Sequence, residues 1–258
     1  MGKPLAVLMN YGCHPTVLGH ENRCLSADYP GAARRVLEGV YPDTVFMFTN
    51  GAAGDVSTRF TRRSQTFAEV ERMGRILGGG VLRAMQLMET GGPAALSSRV
   101  ADVEIPLRDF PPPDKAKQVL EDREAELERL QEAGAPHGEI RRATTKMEGA
   151  RVQVRLAEAL VDRSHVATQT QVVSIGGLLF IGLPGEPFTR LVLDLKEESP
   201  AVHTAVISYA NDDVGYFPDD GSIEEGTYEA LSSPYGSEGV RHLERTALDL
   251  VRKGGANA

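Results

Sequence analysis

Short apolar runs alternate with amphipathic segments along the first third of the chain. Residues 4–10 and 45–49 are mainly apolar stretches bounded by turn-forming residues, a pattern that is typical of buried strands. Residues 29–39 and 65–88 carry apolar side chains at helical spacing, and Gly-Gly-Pro at 91–93 ends the second of these segments. This alternation of strand and helix predicts an α/β fold.

The middle of the chain predicts a helical hairpin. Residues 99–107 alternate apolar and polar side chains and indicate a strand. From 114 to 163 the composition shifts to Glu, Arg, Lys, Ala and Leu, and apolar residues recur every seven positions. We expect two antiparallel helices, inserted at 111–165 and joined by a turn at 134–136, that serve packing or self-association into a homo-oligomer. The stripe comprises Ala116, Leu120, Leu127 and Leu130 on the first helix, and Ile140, Ala143, Met147, Ala150, Val154, Ala157 and Val161 on the second.

The last third returns to alternating strands and helices. The sequence predicts strands at 168–174, 178–183 and 202–207, a helix that ends near 197, a long loop at 209–228 and a final helix at 237–252. A loop of that length is uncommon in a compact domain and suggests a functional role. We expect one domain over residues 1–258, a mixed sheet flanked by helices with the helical hairpin as an insertion.

The bulk composition excludes several classes of protein. With 258 residues, 41% hydrophobic and 25% charged, the chain can bury the core of one ordinary globular domain. Its net charge of −8 argues against nucleic-acid binding, and no apolar run is long enough to form a transmembrane segment. Cys13 and Cys24 form no disulfide framework and suit a reducing compartment. The absence of a visible signal peptide favours a cytoplasmic location, and the alternative is that a late start has removed such a signal.

The segment from Asn50 to Ser57 is the strongest local signal of chemistry. It reads Asn-Gly-Ala-Ala-Gly-Asp-Val-Ser and directly follows an apolar strand, so its small residues let backbone N–H groups approach a ligand. It lacks the Gly-Lys-Ser/Thr of a phosphate loop and the Gly-x-Ser-x-Gly of an α/β-hydrolase elbow. An ordinary strand-to-helix connection is the structural alternative for such a turn.

Other polar residues also occupy predicted strand ends or the long loop. His14 and Glu186 each follow a strand, and Tyr216 lies in the loop. Because ligands of open α/β sheets bind outside the carboxyl ends of the strands, these residues and Ser57 could share one cleft. An imidazole, a carboxylate and a phenol could hold a zinc ion and leave a position for water. Each could equally be structural, since none has the spacing of a self-sufficient motif such as His-Glu-x-x-His.

In the order of its motifs, the chain resembles the neutral, non-lysosomal ceramidase family of zinc-dependent amidases. The resemblance covers nearly the whole chain outside the hairpin and suggests that His14, Glu186 and Tyr216 are zinc ligands. Ser57 matches the family's essential serine, and Tyr228 matches the tyrosine that contacts the substrate carbonyl. The matching stretches are His14-Pro15-Thr16, Gly54-Asp55-Val56-Ser57, Pro184-Gly185-Glu186, Tyr216 and Tyr228-Glu229, with the two tyrosines twelve residues apart.

The resemblance implies hydrolysis of an N-acyl amide, either ceramide or a soluble analogue such as an N-acyl amino acid. Zn²⁺ would lower the pKa of bound water and polarise the amide carbonyl. Ser57 would attack or orient the amide, Tyr228 would donate a hydrogen bond to the developing oxyanion, and Asp55 would fix the turn or a neighbouring partner. The expected partner is therefore a small-molecule substrate.

The chain also departs from the family pattern. The family's second zinc histidine lies in an N-terminal His-x-His-Ser segment, which we expect upstream of Met1, so the chain resembles the C-terminal portion of the catalytic domain. Thr58-Arg59 replaces the usual Pro-Asn, and the acidic hairpin is more similar to short bacterial relatives. The alternative is a non-catalytic or truncated relative that binds no zinc and acts through self-association or a partner.

The other histidines and one aspartate are expected to be structural or solvated. His20 lies six residues after His14 and could replace the missing zinc histidine, but we expect it to be an exposed loop residue. Asp28 precedes a predicted helix and suits an N-cap or turn position. No motif surrounds the remaining histidines, which are His137, His165, His203 and His242.

Overall fold

Strands and helices alternate along the fold in the predicted order, which confirms the α/β class with a mixed sheet flanked by helices. The structure is a computed structural model that describes residues 3–89 and 91–255. The strands are β1 (Ala6–Tyr11), β2 (Val45–Asn50), β3 (Leu96–Pro106), β4 (His165–Ile175), β5 (Leu178–Gly182), β6 (Glu186–Pro187), β7 (His203–Ile207) and β8 (Tyr216–Phe217). The helices are α1 (Asp28–Val40), α2 (Phe67–Leu87), α3 (Pro113–Glu132), α4 (His137–Ala159), α5 (Thr189–Glu197), α6 (Asp220–Glu225), α7 (Tyr228–Ser232) and α8 (Ser237–Gly255). Among these described helices, none combines the length and the apolarity that a membrane span requires.

The strands pair into three sheets in the described part of the chain. β1 pairs in parallel with β2, and β6 pairs in parallel with β8. The four-stranded sheet has the order β3-β4-β5-β7, with antiparallel pairs except for the parallel pair β5–β7. Just beyond β7, the Ser208 N–H donates to the Asn50 carbonyl at the end of β2, at 2.8 Å. The carboxyl ends of β2 and β7 therefore lie side by side.

Three buried apolar clusters of the described residues hold these layers together, and two of them pack helices against the sheets. α5 and α8 share a core with the four-stranded sheet, because the alternating apolar residues of the strands meet the apolar stripes of the two helices. α1 and α2 cover one face of the β1–β2 pair, where Met9, Leu37 and Phe46 are buried. Burying one such side chain contributes about 1.5–3 kcal/mol. The larger core comprises Val103, Ile105, Val172, Ile181, Leu195, Val206, Leu243 and Val251 among others.

On the opposite face of the β1–β2 pair, three apolar side chains are exposed in the described part of the chain. Leu8 and Met47 are register partners on that face, and Val45 lies two residues before Met47. Leu8 exposes 39% of its surface, Met47 exposes 47% and Val45 exposes 58%. Parallel strands normally have both faces covered. This apolar patch is therefore a surface of the kind that contacts another polypeptide segment.

The segment 209–228, expected to be one long loop, contains the short strand β8 and the helix α6. The carboxylate of Asp219 accepts a hydrogen bond from the Ser222 N–H at 2.8 Å and caps the start of α6. Gly226 ends that helix in the left-handed conformation, with a φ of 66°. The start and stop signals are local, but they lie within an Asn-, Asp- and Gly-rich stretch that resembles a loop in composition.

α3 and α4 form the antiparallel hairpin that the heptad pattern predicts. Ion pairs join Lys117 to Glu158 and Glu124 to Arg151, so the residue numbers run in opposite directions along the two helices. Several small residues of the stripe are buried, which fits a packing role. They are Ala116, Ala143, Ala150 and Ala157.

The hairpin also supports α7. A Cβ added to Gly149 in α4 would lie 2.7 Å from Leu231 Cδ1, so the two helices are in close contact. α7 begins at Tyr228, the residue that the sequence assigns to the reaction. The position of Tyr228 therefore depends on the hairpin.

Excision of the hairpin is expected to leave the sheet folded. The Leu107 N–H donates to the Ser164 carbonyl at 2.9 Å, so the β3–β4 ladder continues to the base of the hairpin. Joining Leu107 to Ser164 through Asn-Gly should give a chain that unfolds in one transition and loses only the circular dichroism of α3 and α4. Limited proteolysis should then cut within α7. The control variant replaces only the turn residues 134–136 with Gly-Ser-Gly. If the excision variant were unfolded, the core would require the hairpin.

Candidate functional site

The glycine turn after β2 packs directly against the exit of β1. A Cβ added to Gly12 would lie 2.3 Å from the Ala52 carbonyl oxygen, so the two backbones touch. Two residues later the His14 N–H donates to the Val56 carbonyl at 2.9 Å, and His14 forms an isolated parallel bridge with Ser57. The parallel pairing of β1 and β2 therefore resumes beyond the turn and places His14 beside Ser57.

Glu186 reaches the same place from the four-stranded sheet. It follows β5 in a sharp turn, and its register partner in the β6–β8 pair is Tyr216. The Gly54 N–H donates to the Pro187 carbonyl at 3.1 Å, and a Cβ on Gly54 would lie 2.7 Å from the Glu186 carbonyl oxygen. Close backbone contact thus requires glycine at this point of the turn.

Three of the sequence-derived candidates converge. His14 Nε2 lies 3.3 Å from Glu186 Oε2, and their side chains are only 17% and 15% exposed. The rings of His14 and Tyr216 meet edge to face, with centroids 6.2 Å apart, and the Tyr216 hydroxyl is within hydrogen-bonding reach of Glu186. An imidazole, a carboxylate and a phenol therefore form one half-buried cluster at the strand ends.

Tyr209 is a further member of this cluster that the sequence did not single out. Its hydroxyl lies 3.5 Å from His14 Nδ1, and Glu186 and Asn50 are near enough to shift the pKa of this phenol. Its backbone is left-handed, with a φ of 57°, a conformation that costs a non-glycine residue about 1–2 kcal/mol. Its position in the sequence could have indicated this role, because Tyr209 lies just after β7 as His14 and Glu186 lie just after other strands.

Burial determines the electrostatics of the cluster. It lowers the pKa of His14 below the ordinary histidine value, against the opposing effects of Glu229, the Gly54 carbonyl and Asp55. Burial also raises the pKa of Glu186, although the hydroxyls of Tyr209 and Tyr216 oppose that shift. The pKa values of both tyrosines are raised, first by burial and then by Glu186. The imidazole is therefore held in its neutral form, which is the form that binds metals.

Ser57 and Tyr228 border the cluster. The Ser57 hydroxyl accepts a hydrogen bond from the Arg59 N–H at 3.2 Å and caps the short 3-10 helix Thr58–Phe60. Its own O–H donates to no group among the residues that the structure describes, so it is available as a donor. Tyr228 is half-buried at the first position of α7, near enough to Tyr216 to contribute to the raised pKa of that phenol.

Asp55 joins the glycine turn to α5. Its Oδ1 accepts hydrogen bonds from the Thr189 N–H and from the Thr189 hydroxyl, each at 2.8 Å. The residue before the helix, Phe188, has no side-chain oxygen, so Asp55 satisfies the first N–H of α5 from a distant part of the chain. This contact fits the expected structural role of Asp55 in fixing the turn.

Asp55→Ala is expected to lower the free energy of unfolding by about 1–2 kcal/mol, as the loss of a helix cap does. Asp55→Asn keeps an oxygen acceptor and should retain most of that stability. Urea unfolding followed by circular dichroism measures both effects. Asp43→Ala removes an exposed carboxylate that pairs with Lys3 and serves as the control, with a change below about 0.5 kcal/mol. Equal effects of Asp55→Ala and Asp43→Ala would contradict the capping role.

The remaining candidates lie outside the cluster. His20 is exposed in its turn, as the sequence suggested. Asp28 is buried, and its carboxylate accepts hydrogen bonds from the N–H groups of Val17, Leu18 and Tyr29, so it ties the loop to the start of α1. The histidines without motifs are exposed or half-buried at other places: His137, His165, His203 and His242.

The donor set fits zinc in chemical type. Zinc accepts imidazole nitrogen and carboxylate oxygen, and a catalytic zinc site uses three protein ligands with one open position. The cluster offers one imidazole, one carboxylate and the phenols of Tyr216 and Tyr209. Within residues 3–89 and 91–255, no three His, Cys, Asp or Glu side chains are grouped to hold a metal. A zinc ion here would therefore need a phenol as its third ligand from this chain.

The chain shares its fold, at low sequence identity, with solved ceramidase structures. No protein-family model and no curated protein matches the chain. The neutral ceramidase from Pseudomonas aeruginosa is similar with a TM-score of 0.63 and 18% identity, over 96% of this chain and 44% of that one. A ceramidase complexed with C2 is similar with a TM-score of 0.65 and 16% identity, over 98% of this chain and 46% of that one. The fold is thus ceramidase-like, and the chain spans less than half the length of these neighbours.

Proposed function

We propose that the chain carries the site of a zinc-dependent amide hydrolase of the neutral ceramidase type, which cleaves an N-acyl amide. The observation that carries the proposal is the approach of His14 Nε2 to Glu186 Oε2 at 3.3 Å beside the Tyr216 phenol. Segments that follow β1 and β5 bring His14 and Glu186 together, and the pairing of β6 with β8 adds Tyr216, in a fold that resembles two ceramidases. Such an arrangement of half-buried polar groups is typical of a reactive site.

His14, Glu186 and Tyr216 would hold the zinc ion, which when bound supplies Lewis-acid activation of water and of the amide carbonyl. The lowered pKa of His14 keeps its imidazole neutral and able to donate a lone pair. Ser57, paired with His14 through the backbone bridge, would direct its free O–H toward the amide as nucleophile or as orienting donor. Tyr228 would donate its O–H to the developing oxyanion, a contribution of about 3–4 kcal/mol.

The proposed substrate is a small N-acyl amide, either ceramide or a soluble analogue such as an N-acyl amino acid. The names of the two structural neighbours support an amide of the ceramide type. The chain matches less than half of each neighbour, so the proposal names the class of acyl amide and keeps both substrates. A direct comparison of both substrates is therefore the informative assay.

The test of function is hydrolysis of these amides by the zinc-loaded chain, with release of fatty acid measured by mass spectrometry. We expect zinc-dependent turnover of at least one of them. Ser57→Ala and Tyr228→Phe should each reduce kcat/KM on the order of a hundredfold to a thousandfold. Tyr41→Phe, which removes a hydroxyl that accepts only from Gln86, is the matched control. Zinc-independent turnover, or turnover unchanged in both site variants, would contradict the proposed mechanism.

A second candidate is a non-catalytic relative that binds no zinc and acts through self-association or a partner. The apolar patch of Leu8, Val45 and Met47 favours it, because such a surface gains stability when it is covered. Self-association through the hairpin, expected from its heptad pattern, stays a prediction. Zinc binding by the purified chain separates the two candidates: binding supports the enzyme, and its absence supports the non-catalytic relative.

A further inference from the structure

Tyr209 is held in an unusual backbone conformation beside the cluster. A tyrosine with a φ of 57° is an outlier, since the left-handed region favours glycine and asparagine. Hydrogen bonds on both sides fix it there: the Tyr209 N–H donates to the Gly185 carbonyl at 3.1 Å, and the Ala210 N–H donates to the Leu183 carbonyl at 2.9 Å. Strain that the surroundings impose in this way is typical of functional sites.

The ring of Tyr209 connects the groups of the cluster to one another. Its hydroxyl lies 3.5 Å from His14 Nδ1, whereas His14 Nε2 faces Glu186 at 3.3 Å, so the two imidazole nitrogens have different partners. The Glu186 carboxylate is near enough to the same hydroxyl to raise the pKa of the phenol. A phenol can accept and donate at once, so it can serve both neighbours.

Asn50 completes the environment of this hydroxyl. Its side-chain oxygen accepts a hydrogen bond from the Cys13 N–H at 3.3 Å, which leaves its amide nitrogen to donate to Tyr209. A phenol oxygen can accept hydrogen bonds and donate one, so this hydroxyl can accept from His14 and Asn50 and donate to Glu186.

We propose that Tyr209 is the positioning residue of this site. It accepts the Nδ1–H of His14 and donates to Glu186, so that the Nε2 lone pair of His14 and the Glu186 carboxylate are directed toward one metal position. This inference rests on the proposed zinc function. Hydrogen bonds of this kind fix the tautomer and orientation of metal-binding histidines. The Gly54 carbonyl is also close to the His14 ring and is the alternative acceptor for the Nδ1–H of His14. A substitution of Tyr209 leaves this carbonyl in place.

The experiment compares zinc affinity in the wild-type chain and in Tyr209→Phe by competition with a chromogenic chelator. Removal of this single hydroxyl should weaken zinc binding roughly 10- to 100-fold. Tyr41→Phe is the matched control, since the Tyr41 hydroxyl accepts a hydrogen bond from Gln86 Nε2 at 2.9 Å, outside the cluster. Its zinc affinity should equal that of the wild type. Tyr209→Asn, which suits the left-handed backbone but lacks the phenol, should weaken zinc binding as Tyr209→Phe does.

A second readout reports on His14 itself. In the zinc-loaded wild type, nuclear magnetic resonance should show a slowly exchanging Nδ1–H on His14, and in zinc-loaded Tyr209→Phe that proton should exchange faster. If the wild type binds zinc but Tyr209→Phe matches it in affinity and in Nδ1–H exchange, Tyr209 is not the positioning residue and the proposed function stands. If the folded wild type binds no zinc, the proposed function fails and the role of Tyr209 fails with it.

Discussion

Replacing Glu186 with glutamine is expected to lower zinc affinity on the order of a thousandfold, equivalent to about 4 kcal/mol. Glutamine keeps the length and shape of the side chain that approaches His14 at 3.3 Å, but it removes the negative charge. The cluster would retain only neutral donors, the imidazole and the phenols. Isothermal titration calorimetry measures this loss of zinc affinity. The control is Glu198→Gln, which changes an exposed carboxylate that pairs with Arg252. Equal zinc affinity in Glu186→Gln and wild type would contradict the assignment of Glu186 as a ligand.

The same substitution is expected to preserve or increase the stability of the metal-free protein. Because burial raises the pKa of Glu186, the folded state holds the carboxyl proton more tightly than the unfolded state does. The contribution of this group to stability is therefore greatest at low pH and falls as pH rises from the ordinary carboxyl range through the raised pKa. Glutamine does not titrate, so urea unfolding of the variant should lack this part of the pH dependence. A marked loss of stability would instead indicate a structural role.

Gly12→Ala is expected to produce the largest loss of stability. The added Cβ would lie 2.3 Å from the oxygen and 3.1 Å from the nitrogen of Ala52, and neither backbone atom can rotate away. The exit of β1 and the glycine turn must therefore separate, at a cost of about 2–3 kcal/mol. In a domain of this size that loss lowers Tm by roughly 5–10 °C. Zinc affinity should fall as well, since His14 follows two residues later.

Gly39→Ala is the matched control for this prediction. Gly39 lies near the end of α1, and nothing is within 4 Å of an added Cβ. Alanine favours a helix over glycine, so this variant should be as stable as the wild type or more stable by about 0.5–1 kcal/mol. Differential scanning calorimetry compares both. If Gly12→Ala melted at the wild-type temperature, the contact between strand exit and turn would not hold the site together.

Much of the fold could be predicted from local pattern. The apolar runs of β1 and β2 and the helical spacing of α1, α2 and α8 agree with the structure to within a few residues, because each pattern matches the burial of its own element. The helical hairpin was equally clear from its heptad stripe. The short elements β6, β8, α6 and α7 were not predicted. In α6, for example, the cap Asp219 and the stop Gly226 resemble loop residues in composition.

The candidate site could be predicted only in part. His14 and Glu186 come together because they follow the carboxyl ends of β1 and β5, as the order of elements suggested. Tyr216 joins them through the short strand pair β6–β8, which lies in a segment predicted to be a loop. Tyr209 was not singled out, since its role depends on a left-handed backbone that no local sequence rule assigns to tyrosine. The cap that Asp55 provides to α5 joins residues 134 positions apart, and a contact of this kind has no signal in local sequence.

The most direct test of the central claim is the zinc content of the purified chain, measured by elemental analysis after zinc loading and dialysis, with Glu186→Ala treated in parallel. A site at His14, Glu186 and Tyr216 predicts about one zinc per wild-type chain and almost none in the variant. No zinc in the folded wild type would contradict the metal site and favour the non-catalytic relative. Equal zinc in both proteins would place the metal elsewhere.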